Sequence, residues 1–237
     1  MAFSFSPRIV TDGLILNLDA ANSRSYVSGS TTWADLSRSN NNSTLTNGPT
    51  FNSANGGSIV FDGTDDFSTS PDSTSLRPTS FSIDTWFRPT SFSAFNTVVV
   101  KPFNGPPWTA PFLSYMIRIE TNGTVLSCGT NTGGTYRSLG VNYTFSTNTI
   151  YNIVFTFNSS TGNAMAYLNG SVLSSTTHTA GAISYSALPV LIGASYGTNP
   201  VGEFFAGNIY NIKVYNKVLT ATEILQNYNS LKTRFRL

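Results

Sequence analysis

The sequence predicts an all-β protein, a two-sheet antiparallel sandwich with one short C-terminal helix. Charged residues make up only 10% of its 237 residues, against about 25% in an average soluble protein. Ser, Thr and Asn together supply about 37% of the chain. Few Lys and Glu beside abundant Thr, Phe, Tyr and Val disfavour helix and favour strand. Turn signals also recur at short intervals between runs of alternating apolar residues, the pattern of a multi-stranded antiparallel fold.

Asp12-Gly13 precedes a strand in which Leu14, Leu16 and Leu18 fall on one face at period two. Residues 37–57 carry Asn40-Asn41-Asn42, Asn47-Gly48-Pro49 and Asn55-Gly56-Gly57, and read as loop and short edge strands. Ser58 to Phe61 is a brief strand ended by Asp62-Gly63. Phe81, Ile83 and Phe87 share a face of the next strand, which Pro89 stops because proline cannot donate to the ladder. Val98 to Val100 reads as strand too. Asn122-Gly123 and Asn169-Gly170 each join two strand-like runs, and both central residues of a type I′ turn take positive φ. Tyr151, Ile153, Phe155 and Phe157 share one face of a later strand. After a strand from Ile209 to Tyr215, Thr220-Ala221-Thr222-Glu223 is a capping box opening a helix. Leu219 and Ile224 are its staple, and Ile224, Leu225 and Tyr228 its apolar stripe. No repeat or composition shift divides the chain, so one domain over 1–237 is expected, with a core from about 10 to 230 and a short basic tail at 231–237.

The net charge of +2 comes from 13 basic and 11 acidic groups spread thinly, without the dense basic face of a nucleic-acid binder. No apolar run approaches the roughly 20 residues of a membrane span, so no membrane insertion is expected. The opening residues lack the basic and apolar segments of a secretory signal. A single cysteine, Cys128, excludes an intrachain disulfide and a cysteine-based zinc cluster. A single histidine, His178, excludes multi-histidine metal sites and leaves one base for any triad. It lies among Thr177 and Thr179 and reads as solvent-facing.

Glycosidases use two carboxylates about 5 to 9.5 Å apart. The three glutamates, Glu120, Glu203 and Glu223, are scattered, and Glu223 already serves the capping box, so no catalytic residue is expected. The closely spaced acids are Asp62, Asp65 and Asp66, at a Gly-containing turn. In one reading they offer hard oxygen ligands to Ca²⁺, which takes about six to eight. In the other they are ordinary turn residues exposed to solvent. Glycan binding needs an aromatic platform beside planar hydrogen-bonding groups. The loop from Lys101 to Phe112 has four prolines to stiffen it and carries Asn104 and Trp108; a second loop carries Tyr196 and Asn199. The competing reading makes Trp108 a structural plug at the sandwich edge. Trp33 and Trp86, inside strand-like motifs, read as packing residues. A surface rich in small uncharged groups suits flat interfaces between repeated subunits. Lys232, Arg234 and Arg236 give the tail cations that either dock on an acidic partner or belong to a frayed end.

Several segments in this order resemble the laminin-G-like, concanavalin-A-like jelly-roll family. They are Gly13 to Ala20, Trp33 to Ser37, Ile59 to Phe67, Phe81 to Phe87, Tyr167 to Gly170, Leu191 to Ala194, and Phe205 to Thr220 with Glu223-Ile224. The opening Ile9 to Leu14 and the close Leu225 to Phe235 are similar to free-standing members encoded by tailed phages of marine cyanobacteria. The resemblance implies two stacked antiparallel sheets, frequently a calcium ion and frequently glycan binding. It implies a non-catalytic virion surface protein, a head decoration or fibre-like appendage made in the host cytoplasm. Such a protein would bind other virion proteins and host cell-surface glycans, and stand as a homo-oligomer or in many copies on the particle. The alternative it leaves open is a soluble calcium-dependent lectin.

Overall fold

The computed structural model describes residues 7–105, 109–196 and 201–237. Its strands in chain order are β1 (Leu14–Asp19), β2 (Thr32–Trp33), β3 (Ser43–Thr46), β4 (Thr50–Asn52), β5 (Ser58–Asp62), β6 (Phe67–Ser70), β7 (Phe81–Pro89) and β8 (Phe95–Pro102). They continue with β9 (Leu113–Glu120), β10 (Val125–Thr132), β11 (Thr135–Asn142), β12 (Tyr151–Phe157), β13 (Asn163–Leu168), β14 (Ser171–Thr177), β15 (Val190–Ile192) and β16 (Ala206–Tyr215). One helix, α1 (Ala221–Leu231), follows, and a 3₁₀ turn over Lys232–Phe235 extends it.

Two antiparallel sheets result. The first has the order β14-β13-β12-β7-β16-β5-β4, with β1 also paired to β16. The second has the order β11-β10-β9-β8-β15-β6-β3-β2. Their inner faces enclose one apolar cluster that includes Phe81, Ile83, Phe87, Tyr115, Ile117, Ile153, Phe155 and Phe157. The alternation read for β7 and β12 is thus the inward face of the first sheet. Trp33 lies in the same interior and Trp86 on the outer face of the first sheet, both fully buried.

Two apolar patterns need correction. Leu14 does not share a face with Leu16 and Leu18: a register shift between Leu14 and Leu16 sends Leu14 to the outer cluster and lets Ile15 join the interior. In α1, Leu225 is exposed, while Ile224 and Asn227 are buried. A polar residue takes the inward position because the sheet beneath it is polar there. Asp84 on β7 accepts from Asn152 Nδ2 (2.8 Å), Asn227 Nδ2 (3.0 Å) and Lys213 Nζ (3.4 Å). Asn227 Oδ1 in turn accepts from the Val10 amide (2.8 Å).

The capping box forms as read. Thr220 Oγ1 accepts from the Glu223 amide (3.2 Å), and the Glu223 carboxylate accepts from the Thr220 amide (2.9 Å). Thr220→Ala is expected to cost about 1 kcal/mol, read as a shift of the urea midpoint; no shift would mean that packing alone starts the helix. The tail is docked at Arg234 and Phe235, while Arg236 stays exposed. Phe235 stacks on Trp86 (4.5 Å between ring centroids), and Arg234 pairs with Asp19 (2.8 Å) and donates to the Asn55 carbonyl (2.6 Å). The outer face of the first sheet is therefore roofed by α1 and the tail.

Candidate functional site

Among the described residues, no helix roofs the outer face of the second sheet. Its centre is a buried apolar patch of Val100, Leu113, Met116 and Leu191, from three neighbouring strands. Half-buried rings of Phe67, Phe112, Tyr136 and Tyr196 lie against it. The loop 103–112 leaves the C-terminal end of β8, while Gly193 and Glu203, at the two ends of the second loop, lie beside its first half, with the Gly193 amide on the Val98 carbonyl (3.0 Å) and the Thr97 amide on the Glu203 carbonyl (3.0 Å). Both glycan-candidate loops thus deliver an aromatic ring, Phe112 and Tyr196, to one patch. Phe112 and Tyr136 meet edge to face at 5.7 Å. Gly129 on β10 makes room for them, since a Cβ there would stand 3.1 Å from the Tyr136 ring and 3.2 Å from Leu113. Phe112 has φ +63°, a left-handed conformation that costs a bulky residue about 1–3 kcal/mol and concentrates at functional sites.

The four predicted glycan residues fare differently. Tyr196 sits on the patch, and burial pushes its phenol pKa up. Asn104 is a brace: its Nδ2 donates to the Thr109 carbonyl (2.9 Å), Thr109 Oγ1 (3.1 Å) and the Ala110 carbonyl (3.2 Å), closing the loop on itself. Trp108 and Asn199 lie outside the described residues. Phe112, Tyr136 and Gly129 were missed. The parity of β9 through β11 carries a signal for the last two, because Gly129 pairs with Met116 and Ser138, and Tyr136 lies two residues from Ser138 on the same face.

Beyond the patch, two glutamates far apart in sequence meet on one cation. Arg118 pairs with Glu120 Oε1 (2.6 Å) and Glu203 Oε2 (2.8 Å), and its guanidinium stands 4.5 Å from the Phe95 ring centroid. Burial disfavours the Arg118 cation, but Glu203 and Glu120 outweigh it and hold its pKa above the ordinary value. Thr97 Oγ1 also donates to Glu203 (3.2 Å). Both carboxylates are held by the same cation, an arrangement that anchors the 193–205 loop to β9.

The acidic turn brings carboxylate oxygens of Asp62, Asp65 and Asp66 within 4.8 Å of one another. Asp62 Oδ1 accepts from the amides of Thr64 (2.7 Å) and Asp65 (3.3 Å), and Asp66 Oδ2 from the Asp62 amide (3.0 Å). Amide donation to its own oxygens, from Thr64 first, holds the Asp62 carboxyl below the usual range. Asp66 is buried, and desolvation followed by the charges of Asp62 and Asp65 pushes its carboxyl up. The donor set suits a hard cation, with Asp62 Oδ2, Asp66 Oδ1 and the Asp65 carboxylate as the oxygens that the amides leave over.

His178 is half-buried rather than solvent-facing, with its ring 6.5 Å from that of Phe157 and its Nε2 buried without a partner. Burial, then the Arg137 charge, pushes its pKa down. The strand pairing of β13 with β14 draws it in, since its amide donates to the Gly162 carbonyl (2.9 Å).

Comparison with known proteins bears on the fold. The binding domain of Paraclostridial Mosquitocidal Protein 1 superposes with a TM-score of 0.72 at 16% identity, over 92% of this chain and 52% of that one. This chain therefore spans about half the length of that domain. Domain 4 of AbnA, an arabinanase from Geobacillus stearothermophilus solved with arabinotriose, gives a TM-score of 0.68 at 15% identity over 92% of this chain and all of that one. The Ruminococcus gnavus sialidase module CBM40, bound to α2,3 sialyllactose, gives 0.55 at 15% identity over 63% and 82%. No curated protein sequence matches. The family model described as the concanavalin A-like lectin/glucanases superfamily (laminin G type 3) aligns with residues 62–225, from the acidic turn through the first turns of α1, and the chain belongs to that family.

Proposed function

We propose that the protein is a non-catalytic recognition module that binds glycans through the outer face of the second sheet. The observation that carries this reading is the meeting of the two loops on one aromatic-rimmed apolar patch. The half-buried rings packed over this buried floor offer a stacking surface to the apolar face of a sugar, and proline and hydrogen-bond bracing lowers the ordering cost. Solved relatives of the fold were captured with arabinotriose and with sialyllactose. Tyr196→Ala is expected to weaken glycan binding about tenfold, the weight of about 1.4 kcal/mol; Trp108→Ala tests the first loop in the same way. A glycan array blank for the wild-type chain would overturn the reading.

The setting proposed for this module is the surface of a phage virion, where it would join other virion proteins in many copies and meet host glycans. The resemblance of both ends of the sequence to free-standing phage proteins supports it, as does the sparsely charged surface. Such a component co-purifies with particles and is not released by free sugar; release by sugar favours a soluble lectin.

The acidic turn gives the calcium-dependent lectin its specific support. An acid whose folded pKa lies above its unfolded value binds more protons folded than unfolded, so stability falls as pH rises through that window. Asp66 is therefore a standing cost at neutral pH, and a bound Ca²⁺ would relieve it. Chelation is then expected to lower the melting temperature by about 2–4 °C per kcal/mol of binding. Asp66→Asn removes that response and raises the metal-free melting temperature. A melt unchanged by chelation removes the metal.

A further inference from the structure

A second cleft opens at the edge of the sandwich where the chain crosses from β3 of the second sheet to β4 of the first. One wall is the loop 26–31, tied to β3 by the Leu45 amide on the Thr31 carbonyl (2.8 Å). The other wall is the turn Asn47-Gly48-Pro49 and the start of β4. Asn47, at φ +67°, holds that turn in place by donating Nδ2 to the Asp65 carbonyl (2.9 Å). The cavity is about 560 Å³, within the roughly 300–1,000 Å³ range of small-molecule sites.

Its chemistry is specific. Tyr26 and Phe51 form a tilted aromatic pair with centroids 5.5 Å apart, Phe51 being half-buried. The hydroxyls of Tyr26, Ser28, Thr31 and Thr50 and the Oδ1 of Asn47 have no hydrogen-bond partner among the described residues. Among the described residues, no Asp, Glu, Lys, Arg or His lines the cleft. A cation or anion would find no counter-charge there, and a purely apolar ligand would strand the hydroxyls and the amide oxygen. A neutral polyhydroxylated ligand with one apolar face satisfies both demands.

We infer that this cleft is a second binding site, for a neutral oligosaccharide, separate from the outer face of the second sheet. Asn47 Oδ1 accepts a sugar hydroxyl, the Thr and Tyr hydroxyls donate or accept as the ligand requires, and the Phe51 ring takes the apolar face. The proposal stands whether or not the outer face binds glycans.

The test is an amide NMR titration of the full chain with arabinotriose, lactose, cellotriose and chitotriose, with 3′-sialyllactose as the acidic comparison. At least one neutral probe is expected to move the amides of Thr31, Leu45 and Phe51 in a saturable way. Thr31→Trp, at an exposed position, should fill the cleft and weaken that binding at least about tenfold; Thr50→Lys is a second block at another exposed position. Tyr196→Ala should leave these shifts intact. The inference fails if no neutral probe moves the three amides, or if both blocking variants bind like wild type. Shifts confined to Met116 and Tyr196 would sink the cleft and leave the outer-face reading standing.

Discussion

Lys213→Met is expected to destabilise the protein by about 3–5 kcal/mol, the cost of stripping one partner from a buried ion pair. Lys213 and Asp84 are each only 1% exposed in their side chains and lie under α1 on the first sheet. Lys213 Nζ donates to Asn211 Oδ1 as well as to Asp84. Without the ammonium group, the Asp84 carboxylate keeps two amide donors, from Asn152 and Asn227, and no cation. Asp84→Leu combined with Lys213→Met should recover most of the loss, because an apolar pair carries no desolvation penalty. Urea unfolding reads both variants, with an unchanged m-value showing that the midpoint shift is a stability change. A loss below about 1 kcal/mol for Lys213→Met would mean that water screens the pair as it does on a surface.

Phe235→Ala should cost a similar amount, about 3–5 kcal/mol. Trp86 lies between two rings, Tyr228 at 5.4 Å and Phe235 at 4.5 Å, both nearly parallel to it at 7° and 21°. Phe235 also meets Tyr210 edge to face at 4.9 Å. Removing the ring opens one face of a fully buried indole to water, which tryptophan emission reports as a red shift. Deleting residues 232–237 should cost more, since it also removes Arg234 from Asp19 and from the carbonyls of Asn55 and Gly57. Unshifted emission in the Phe235→Ala variant would contradict the stacked arrangement.

Strands whose inward residues alternate cleanly, such as β7 and β12, were legible because a buried face imposes period two. Strands β6 and β11 were not, since their Ser, Thr and Gly content resembles the loops around them. The parity error at Leu14 came from a bulge, which no local pattern announces. Leu225 misled because helical periodicity assumes an apolar surface beneath, whereas Asp84 and Lys213 make this one polar. The tail's docking was hidden for the same reason: Arg234 finds Asp19, 215 positions away in sequence. At the candidate site, composition pointed to the two loops with Asn104 and Tyr196, while the bracing of its own loop by the Asn104 amide depends on a fold-back that no local pattern announces. The convergence of Phe112 and Tyr196 on one apolar cluster, and of Glu120 and Glu203 on Arg118, depends on long-range strand order.

Strand β16 is the shared neighbour of β1, β5 and β7, yet it follows all three in the chain by more than a hundred residues. A nascent chain therefore carries three strands lacking their common partner until residue 215 has left the ribosome. Pairings such as Leu18 with Ile212 must close a very long loop, which slows folding and leaves strand edges open to aggregation meanwhile. Production of the protein should accordingly benefit from low temperature and chaperone supply, and fragments ending before β16 should accumulate as inclusion bodies.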